Sequence, residues 1–549
     1  MLRLVALLTL LAAAAHAQPR ASDPSSSGGA LIPEQAAFDV HFYSLRLDIR
    51  PELREIGGFV TVHAEIVLPT STVVLDLDTT FVVSQIMERG GALPFERHGG
   101  RLWIDLGRTR QPGEKLKIGV NYAGPPRVAP NPPWQGGFTW VDRGDGTWWV
   151  GVSCQGEGAD VWWPVKDHPS DEPDSLRIHV RVPASHTAVS SGQLQYQHDN
   201  PDGSRSFEWF VSTPINNYGL SLYVAPYETL THPYTSTAGD DLPITFYALP
   251  EDADKARRLL PQIADQLRFM EETFGPYPFR ADKYAVAQAP YLGMEHQTAI
   301  AYGDTFTDND FGFDWLHLHE LAHEWWGNLV TVPDWRHFWV HEGTAMYVEA
   351  LYAERLGGTD AYRRYLLSKR GRILNRQPVV PAANVDTQEA YFGRRGKQIT
   401  DADVYFKGMW FLHTLRWAVD DDVAFVRALR RMAYPDPAME SVTDGSHTRF
   451  ATTDDFRRTL EKETGDDLGD LFRLYLDQPH LPRLAAERGD DTLMLRWETP
   501  EGYPLTLPVE VSVDGELRRV RMRGGQGEIT VPPGSEVVID PNDRVLKAE

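Results

Sequence analysis

The sequence predicts a multidomain α+β chain: an N-terminal all-β domain, a helix-rich central domain and a small C-terminal β module. Three observations predict it. The chain has 549 residues, more than one hydrophobic core holds when domains run to about 100–200 residues. Its composition is 42% apolar, 24% charged and 11% aromatic, that of a folded protein rather than a disordered one. The period of its apolar residues changes twice, from the alternation of strands to the spacing of helices near Asp252, and back again beyond Pro482.

Residues 1–17 read as an export signal. Arg3 supplies positive charge, Leu4 to Ala15 form a short apolar run, and Ala15-His16-Ala17 is a small-x-small cleavage site. The mature chain is expected to begin near Gln18 and to be secreted, to a periplasm or to the medium. A run of about a dozen apolar residues is too short to span a bilayer, and no later stretch reaches the roughly 18–20 that spanning needs. The only cysteine is Cys154, so neither a lipid anchor at the cut nor an intrachain disulfide is available, and the exported chain is expected to carry no membrane anchor. Residues 18–35 form an expected flexible leader, since Ser22 to Ala30 is rich in Ser and Gly.

The N-terminal β domain is placed at 36–232. Text such as His41-Phe42-Tyr43-Ser44-Leu45-Arg46-Leu47-Asp48 alternates with a period of two, and Pro125 to Pro133 interrupts it as an ordered loop or edge. The central domain, 233–482, opens with apolar residues at Ala256, Leu259, Leu260, Ile263, Leu267 and Met270, a helical stripe. Strand-like text returns only around Tyr284 to Thr298, and helical text continues at Val423 to Met432 and Asp454 to Leu474. From 483 to 549 alternation resumes, as in Thr492 to Trp497 and Val509 to Val513. The formal charge of −23 speaks against nucleic acid as a partner, whose binding rests on Lys and Arg neutralising phosphates. The basic doublets Arg394-Arg395 and Arg430-Arg431 are isolated.

One motif carries chemistry. His319-Glu320-Leu321-Ala322-His323 is the H-E-x-x-H pattern of zinc peptidases. Four residues are slightly more than one helical turn, so the two imidazoles project from one face and can share an ion. The run from Trp315 to Trp326 contains no Pro, and Gly327-Asn328 supplies an expected stop. A catalytic zinc usually takes three protein ligands and keeps one position open. The candidate third ligand is Glu342, in His341-Glu342-Gly343, at the front of a helical segment that is expected to stop at Gly357-Gly358.

The run HELAHEWWGNLVTVPDWRHFWVHEGTAMYVE resembles the M1 aminopeptidase family of gluzincins, with H-E-x-x-H, 18 intervening residues and a glutamate. The resemblance implies one zinc ion per chain on His319, His323 and Glu342, with Glu320 as the general base. Leu292-Gly293-Met294-Glu295-His296 resembles the family's exopeptidase motif, with Leu292 in place of Gly and His296 in place of Asn. It implies that Glu295 grips the substrate's free α-amino group and that Gly293 and Met294 belong to the substrate site. Val404-Tyr405-Phe406-Lys407-Gly408 resembles the family's Y-x-K-G segment and implies that Tyr405 donates to the developing oxyanion. Ser153-Cys154-Gln155-Gly156-Glu157, followed by Trp163-Pro164 and Asp167-His168-Pro169, resembles the segment that adds a second amine-binding residue. Gln155 is the favoured position there and Glu157 the alternative. The resemblance spans most of the chain, implies that the central domain is thermolysin-like, and leaves no room for the α-helical superhelix that ends many members.

The expected activity is removal of N-terminal residues from peptides with a free N-terminus. The alternatives are an epoxide hydrolase like leukotriene A4 hydrolase, which shares these motifs but needs a lipid tunnel, a zinc endopeptidase, which has no use for Glu295, and a non-catalytic peptide-binding module. Cys154 is expected to be a buried or loop cysteine, since no activating arrangement surrounds it. His317, His337 and His341 are expected not to coordinate, and the pairs Trp162-Trp163 and Trp325-Trp326 to pack in cores.

Overall fold

The computed structural model describes residues 27–303, 306–392, 402–500, 503 and 505–548. The export signal, residues 18–26 of the leader and the Arg394-Arg395 doublet lie outside the described residues. The rest of the leader is not loose: Ser27 N–H reaches Gly156 O at 3.1 Å, Thr387 N–H reaches Ser27 O at 3.1 Å, and Pro33–Ala36 forms one helical turn. Regular structure thus begins before Phe38, because Ser27 finds backbone partners far along the chain rather than within its own Ser/Gly run.

The N-terminal part is built on β-sheets. An eight-stranded sheet runs in the order 193–199, 204–211, 175–183, 38–50, 55–66, 115–124, 82–88, 91–92. In the strand Phe38–Arg50 the buried positions are Phe38 and Val40, then Tyr43, Leu45, Leu47 and Ile49. The parity flips where the pairing with Glu55–Ile66 shifts register, between Val40 and Phe42. A bulge here adds one residue and keeps both halves of the strand facing the core. A second sheet, ordered 187–189, 223–225, 148–153, 137–142, leads through its strand Trp148–Ser153 directly into Cys154-Gln155.

The central part is built on a five-stranded sheet in the order 228–232, 244–248, 284–288, 299–302, 293–294. The strand Glu228–His232, grouped by its sequence with the N-terminal domain, pairs with Ile244–Ala248 and so lies in this sheet. The helices that matter for the site are α1 (Ala253–Phe274), α2 (Trp315–Ala322), α3 (Trp339–Arg370), α4 (Thr387–Phe392) and α5 (Asp403–Val419). The expected helix through Trp326 ends at Ala322 instead. The chain turns with Trp325 and Trp326 N–H both on Ala322 O. The stop at Gly357-Gly358 is a break rather than an end, since Gly358 leaves helical geometry with φ 69° and the helix resumes to Arg370. Gly343 on α3 and Gly408 on α5 let these two helices touch, for a Cβ on Gly343 would lie 2.9 Å from Gly408 Cα. That contact brings Tyr405, three residues before Gly408, over Glu342.

Beyond Pro482, two three-stranded sheets (483–488, 492–498, 526–530 and 516–520, 509–513, 537–539) form the C-terminal β module. It packs on α5 and the end of α3. Trp417 Nε1–H donates to Pro508 O at 2.8 Å, Arg519 lies over the Trp417 ring, and Arg370 donates to Lys547 O. Among the described residues no helix is long and apolar enough to cross a membrane. The Trp pairs 162–163 and 325–326 are fully buried, as the sequence led one to expect.

Candidate metal centre and amine pocket

α2 starts where Asp314 caps His317 N–H and buries Leu316, Leu318 and Leu321. This holds His319 and His323 on one face. Their Nε2 atoms lie 3.4 Å apart, and Glu342 Oε2 lies 3.4 Å from each. Ligands about 2.0–2.1 Å from a tetrahedral zinc ion would be roughly 3.3–3.4 Å apart, so the triangle has the edges that such an ion requires. Glu342 Oε2 is buried and makes no hydrogen bond. A buried carboxylate oxygen without a donor is costly unless a cation faces it. The other nitrogens are committed: His319 Nδ1 to Glu349 Oε1 and His323 Nδ1 to Trp326 O, each at 2.9 Å. With the Nδ1–H donated outward, both Nε2 lone pairs point into the triangle.

The charges agree with this. Burial raises the pKa of the Glu342 carboxyl, but His323 and His319 outweigh it and the net direction is down. Burial lowers that of His323, but Glu342 reverses the direction and carries it to about 9; His319 is likewise raised, by Glu342 and Glu349. Positive charge between the three donors is thus favoured, and a divalent cation would supply it in place of the imidazole protons. These three are the cluster of metal-binding type found among the described residues.

Glu320 projects from the same turn into the cavity. Burial, with Glu295 and Glu342 adding to it against His319 and His323, pushes its carboxyl up to about 8. A cation in the triangle opposes that rise and favours the carboxylate. The edge strand Gly293–Met294 runs alongside, where a Cβ on Gly293 would sit 2.4 Å from Glu320 Oε1. A side chain at 293 would displace the Glu320 carboxyl, and the strand beside it delivers Glu295.

Glu295 is 3% exposed, and burial raises its pKa. Gln155 Nε2–H and Tyr218 O–H both donate to its Oε1. Asn328 Nδ2–H holds its backbone carbonyl at 3.0 Å. Gln155 rather than Glu157 therefore meets Glu295: Glu157 turns away and accepts from Gly136 N–H at 2.6 Å. Tyr405 O–H lies 3.0 Å from Glu342 Oε1 and 3.0 Å from Tyr391 Oη, with its ring stacked beside His319. Gln155, Gly293, Met294, Glu295, His319, Glu320, His323, Glu342 and Tyr405 all line one cavity of about 530 Å³. Every site residue named from the sequence is therefore brought to one place.

Some neighbours lie elsewhere. His296 is fully buried and pairs through Nδ1 with Tyr223 Oη at 2.6 Å, away from the cavity. His317 bonds to Tyr284, His341 Nε2 accepts from Val332 N–H, and His337 meets Thr453. Burial pushes the Cys154 thiol well up, so it stays protonated and unreactive. The sequence reading missed Glu349, Tyr218, Asn328 and Tyr391. Glu349 had a signal, since it follows Glu342 by seven residues, two turns along the same helical face. Tyr218 and Tyr391 had none.

Residues 40–218 match the peptidase M1 N-terminal domain and residues 260–475 match the peptidase family M1 domain. Leucine aminopeptidase 2 of Yarrowia lipolytica is 25% identical over 351 residues, 59% of this chain and 50% of that protein. Aminopeptidase N of Lactococcus lactis subsp. cremoris (strain MG1363) is 28% identical over 181 residues, 32% of this chain and 20% of that protein. Transcription initiation factor TFIID subunit 2 of Drosophila melanogaster is 23% identical over 310 residues, 52% of this chain and 24% of that protein. The chain thus spans about half the length, or less, of the curated relatives it matches. Among solved structures, the M1 zinc metallopeptidase of Deinococcus radiodurans superposes with a TM-score of 0.65 at 27% identity, covering 81% of this chain and 95% of that one. A mutant of the same enzyme with a Tyr-Ser-Ala substrate gives 0.66 at 26%, over 83% and 98%. Both parts of the fold and the residues around one three-donor site lead to the same place: the chain belongs to peptidase family M1.

Proposed function

We propose that the chain is a zinc aminopeptidase that removes single residues from the free N-terminus of peptides. The observation that carries this reading is the placement of buried Glu295, with Gln155, in the same cavity as the three-donor cluster and Glu320. His319, His323 and Glu342 would hold the ion. Zinc bound there supplies an activated water and a polarised scissile carbonyl. Glu320 takes the proton of the attacking water and passes it to the leaving amine. Tyr405, once its proton leaves Glu342, donates to the oxyanion. Glu295 and the carbonyl of Gln155 receive the substrate's ammonium group, and Tyr218 keeps Glu295 in place. A fixed amine would set the first peptide bond beside the three donors, which share the cavity with Glu295.

Fold similarity alone does not carry activity, since one similar protein bears the name of a transcription factor subunit. The full set of Glu320, Tyr405 and the three donors supports an enzyme. A panel of amino-acid anilides with and without a chelator tests it: hydrolysis is expected with the metal, loss with the chelator and recovery on adding zinc. No hydrolysis of any anilide would overturn the reading.

We further propose that the chain is exported and cut after Ala17, on the strength of Arg3, the run Leu4 to Ala15 and the small residues at the cut. Mass spectrometry of the mature N-terminus checks it. The expected first residue is Gln18, and an intact Met1 on the exported protein would refute the cut.

A further inference from the structure

We propose that Tyr391 is a positioning residue that couples occupancy of the amine pocket to the hydroxyl of Tyr405. This inference rests on the aminopeptidase reading above. A chain of contacts links the two ends of the site: Glu295 to Gln155, Gln155 Oε1 to Tyr391 Oη at 2.9 Å, Tyr391 Oη to Tyr405 Oη at 3.0 Å, and Tyr405 Oη to Glu342 Oε1 at 3.0 Å.

The direction of these bonds follows from what each group can do. An ionised carboxylate only accepts, so Gln155 turns its NH₂ to Glu295 and its carbonyl to Tyr391. Tyr391 must then donate its single proton to Gln155, and its oxygen is left to accept at the contact with Tyr405. The Tyr405 proton is consequently shared between two acceptors, Tyr391 Oη and Glu342 Oε1, neither of which is the reacting carbonyl.

An arriving ammonium group changes this. It carries three donors and meets Glu295 and the Gln155 carbonyl, and its positive charge there makes that oxygen a poorer acceptor for the Tyr391 proton. The Tyr391 O–H can then turn to Tyr405 Oη, 3.0 Å away. Once the Tyr405 oxygen accepts from Tyr391, its own proton is withdrawn from Tyr391 and lies between Glu342 Oε1 and the oxyanion. No proton leaves the network; two hydroxyls rotate. The amine is thereby sensed at Tyr405 through two side chains, Gln155 and Tyr391.

The setting of Tyr391 suits such a part. Its ring packs edge-on against Phe338 at 5.0 Å and lies beside the Tyr405 ring, and a rotation of the hydroxyl requires no movement of the ring. Its short helix, α4, is pinned at the other end, where the Thr387 hydroxyl donates to Gly156 O and accepts from Ser27 N–H. Gly156 adjoins Gln155, so the two partners of the contact share one anchor.

The test compares a peptide with a free N-terminal amine with its counterpart carrying hydrogen in place of that amine. Tyr391→Phe keeps the ring and removes the hydroxyl. It is expected to lower kcat about tenfold on the free-amine peptide with little change in KM, the range of one buried hydrogen bond, and to lower the ratio of free-amine to desamino turnover by a similar factor. A residue that merely supports the fold would lower both substrates alike and leave the ratio unmoved, which would overturn the proposal. The second arm is a double-mutant cycle. Because Tyr391 acts through Tyr405, adding Tyr391→Phe to Tyr405→Phe should cost little beyond the roughly 10²–10³-fold loss of the single Tyr405→Phe. Losses that multiply would equally overturn it. If wild-type protein cleaves no N-terminal residue at all, the aminopeptidase reading fails together with this one; if it cleaves and only the ratio stays fixed, this inference alone fails.

Discussion

Glu320→Gln is expected to leave the metal bound while lowering kcat by about 10²–10⁴, the range of a general base. The substitution keeps the size of the side chain beside Gly293 and touches none of the three donors. What it removes is the group that accepts the proton of the attacking water. Glu342→Ala is expected to act the other way, because it opens the triangle of 3.4 Å contacts and leaves His319 and His323 as two ligands only. Elemental analysis of the two purified variants beside kcat separates them. Glu320→Gln should show a full complement of zinc without turnover, and Glu342→Ala should show neither. A Glu320→Gln enzyme retaining more than about a tenth of the wild-type kcat would remove Glu320 from the base's place, given the size of such effects. Full zinc in Glu342→Ala would mean that another side chain is the third ligand.

Legibility in the sequence followed the range over which each feature is determined. The alternation from Phe38 to Arg50 and the stripe from Ala256 to Met270 are local, and both became the elements they suggested. The H-E-x-x-H pair is local too, since one turn of helix sets its spacing. The end of that helix was not legible. Residues 323–326 contain nothing that breaks a helix, yet the turn there directs Trp326 O onto His323 Nδ1, a bond that fixes the ring. Demand from the site overrides helix preference at that point. The choice between Gln155 and Glu157 was likewise open, for both follow a strand and both are polar. It is decided by where each side chain finds a partner, Glu295 for one and Gly136 N–H for the other. Tyr391 and Ser27 lay furthest from reach: Tyr391 meets Gln155 across 236 residues and Ser27 meets Thr387 across 360. Nothing in either local text distinguishes a tyrosine in a short helix from a core residue, or a serine in a Ser/Gly run from a linker.

An acetylated peptide is expected to be cleaved at least about 10³-fold more slowly than the same peptide with a free amine, since depriving a buried charged group of its partner typically costs several kcal/mol. The reason lies in Glu295. It is buried beside Gln155 and Tyr218, which together supply two donors to one carboxylate oxygen. A substrate ammonium adds a charge-assisted hydrogen bond and the positive charge that the pocket lacks. Acetylation removes that charge and adds an acyl group, so the carboxylate is left desolvated and facing an amide. Glu295→Ala should narrow the gap, chiefly by slowing the free-amine peptide, because the acetylated one never gained from the carboxylate. The products decide the matter by mass. Stepwise loss of single residues from the N-terminus supports the exopeptidase, whereas internal cleavage of the acetylated peptide at a comparable rate would make the enzyme an endopeptidase and leave Glu295 without a role in binding the substrate.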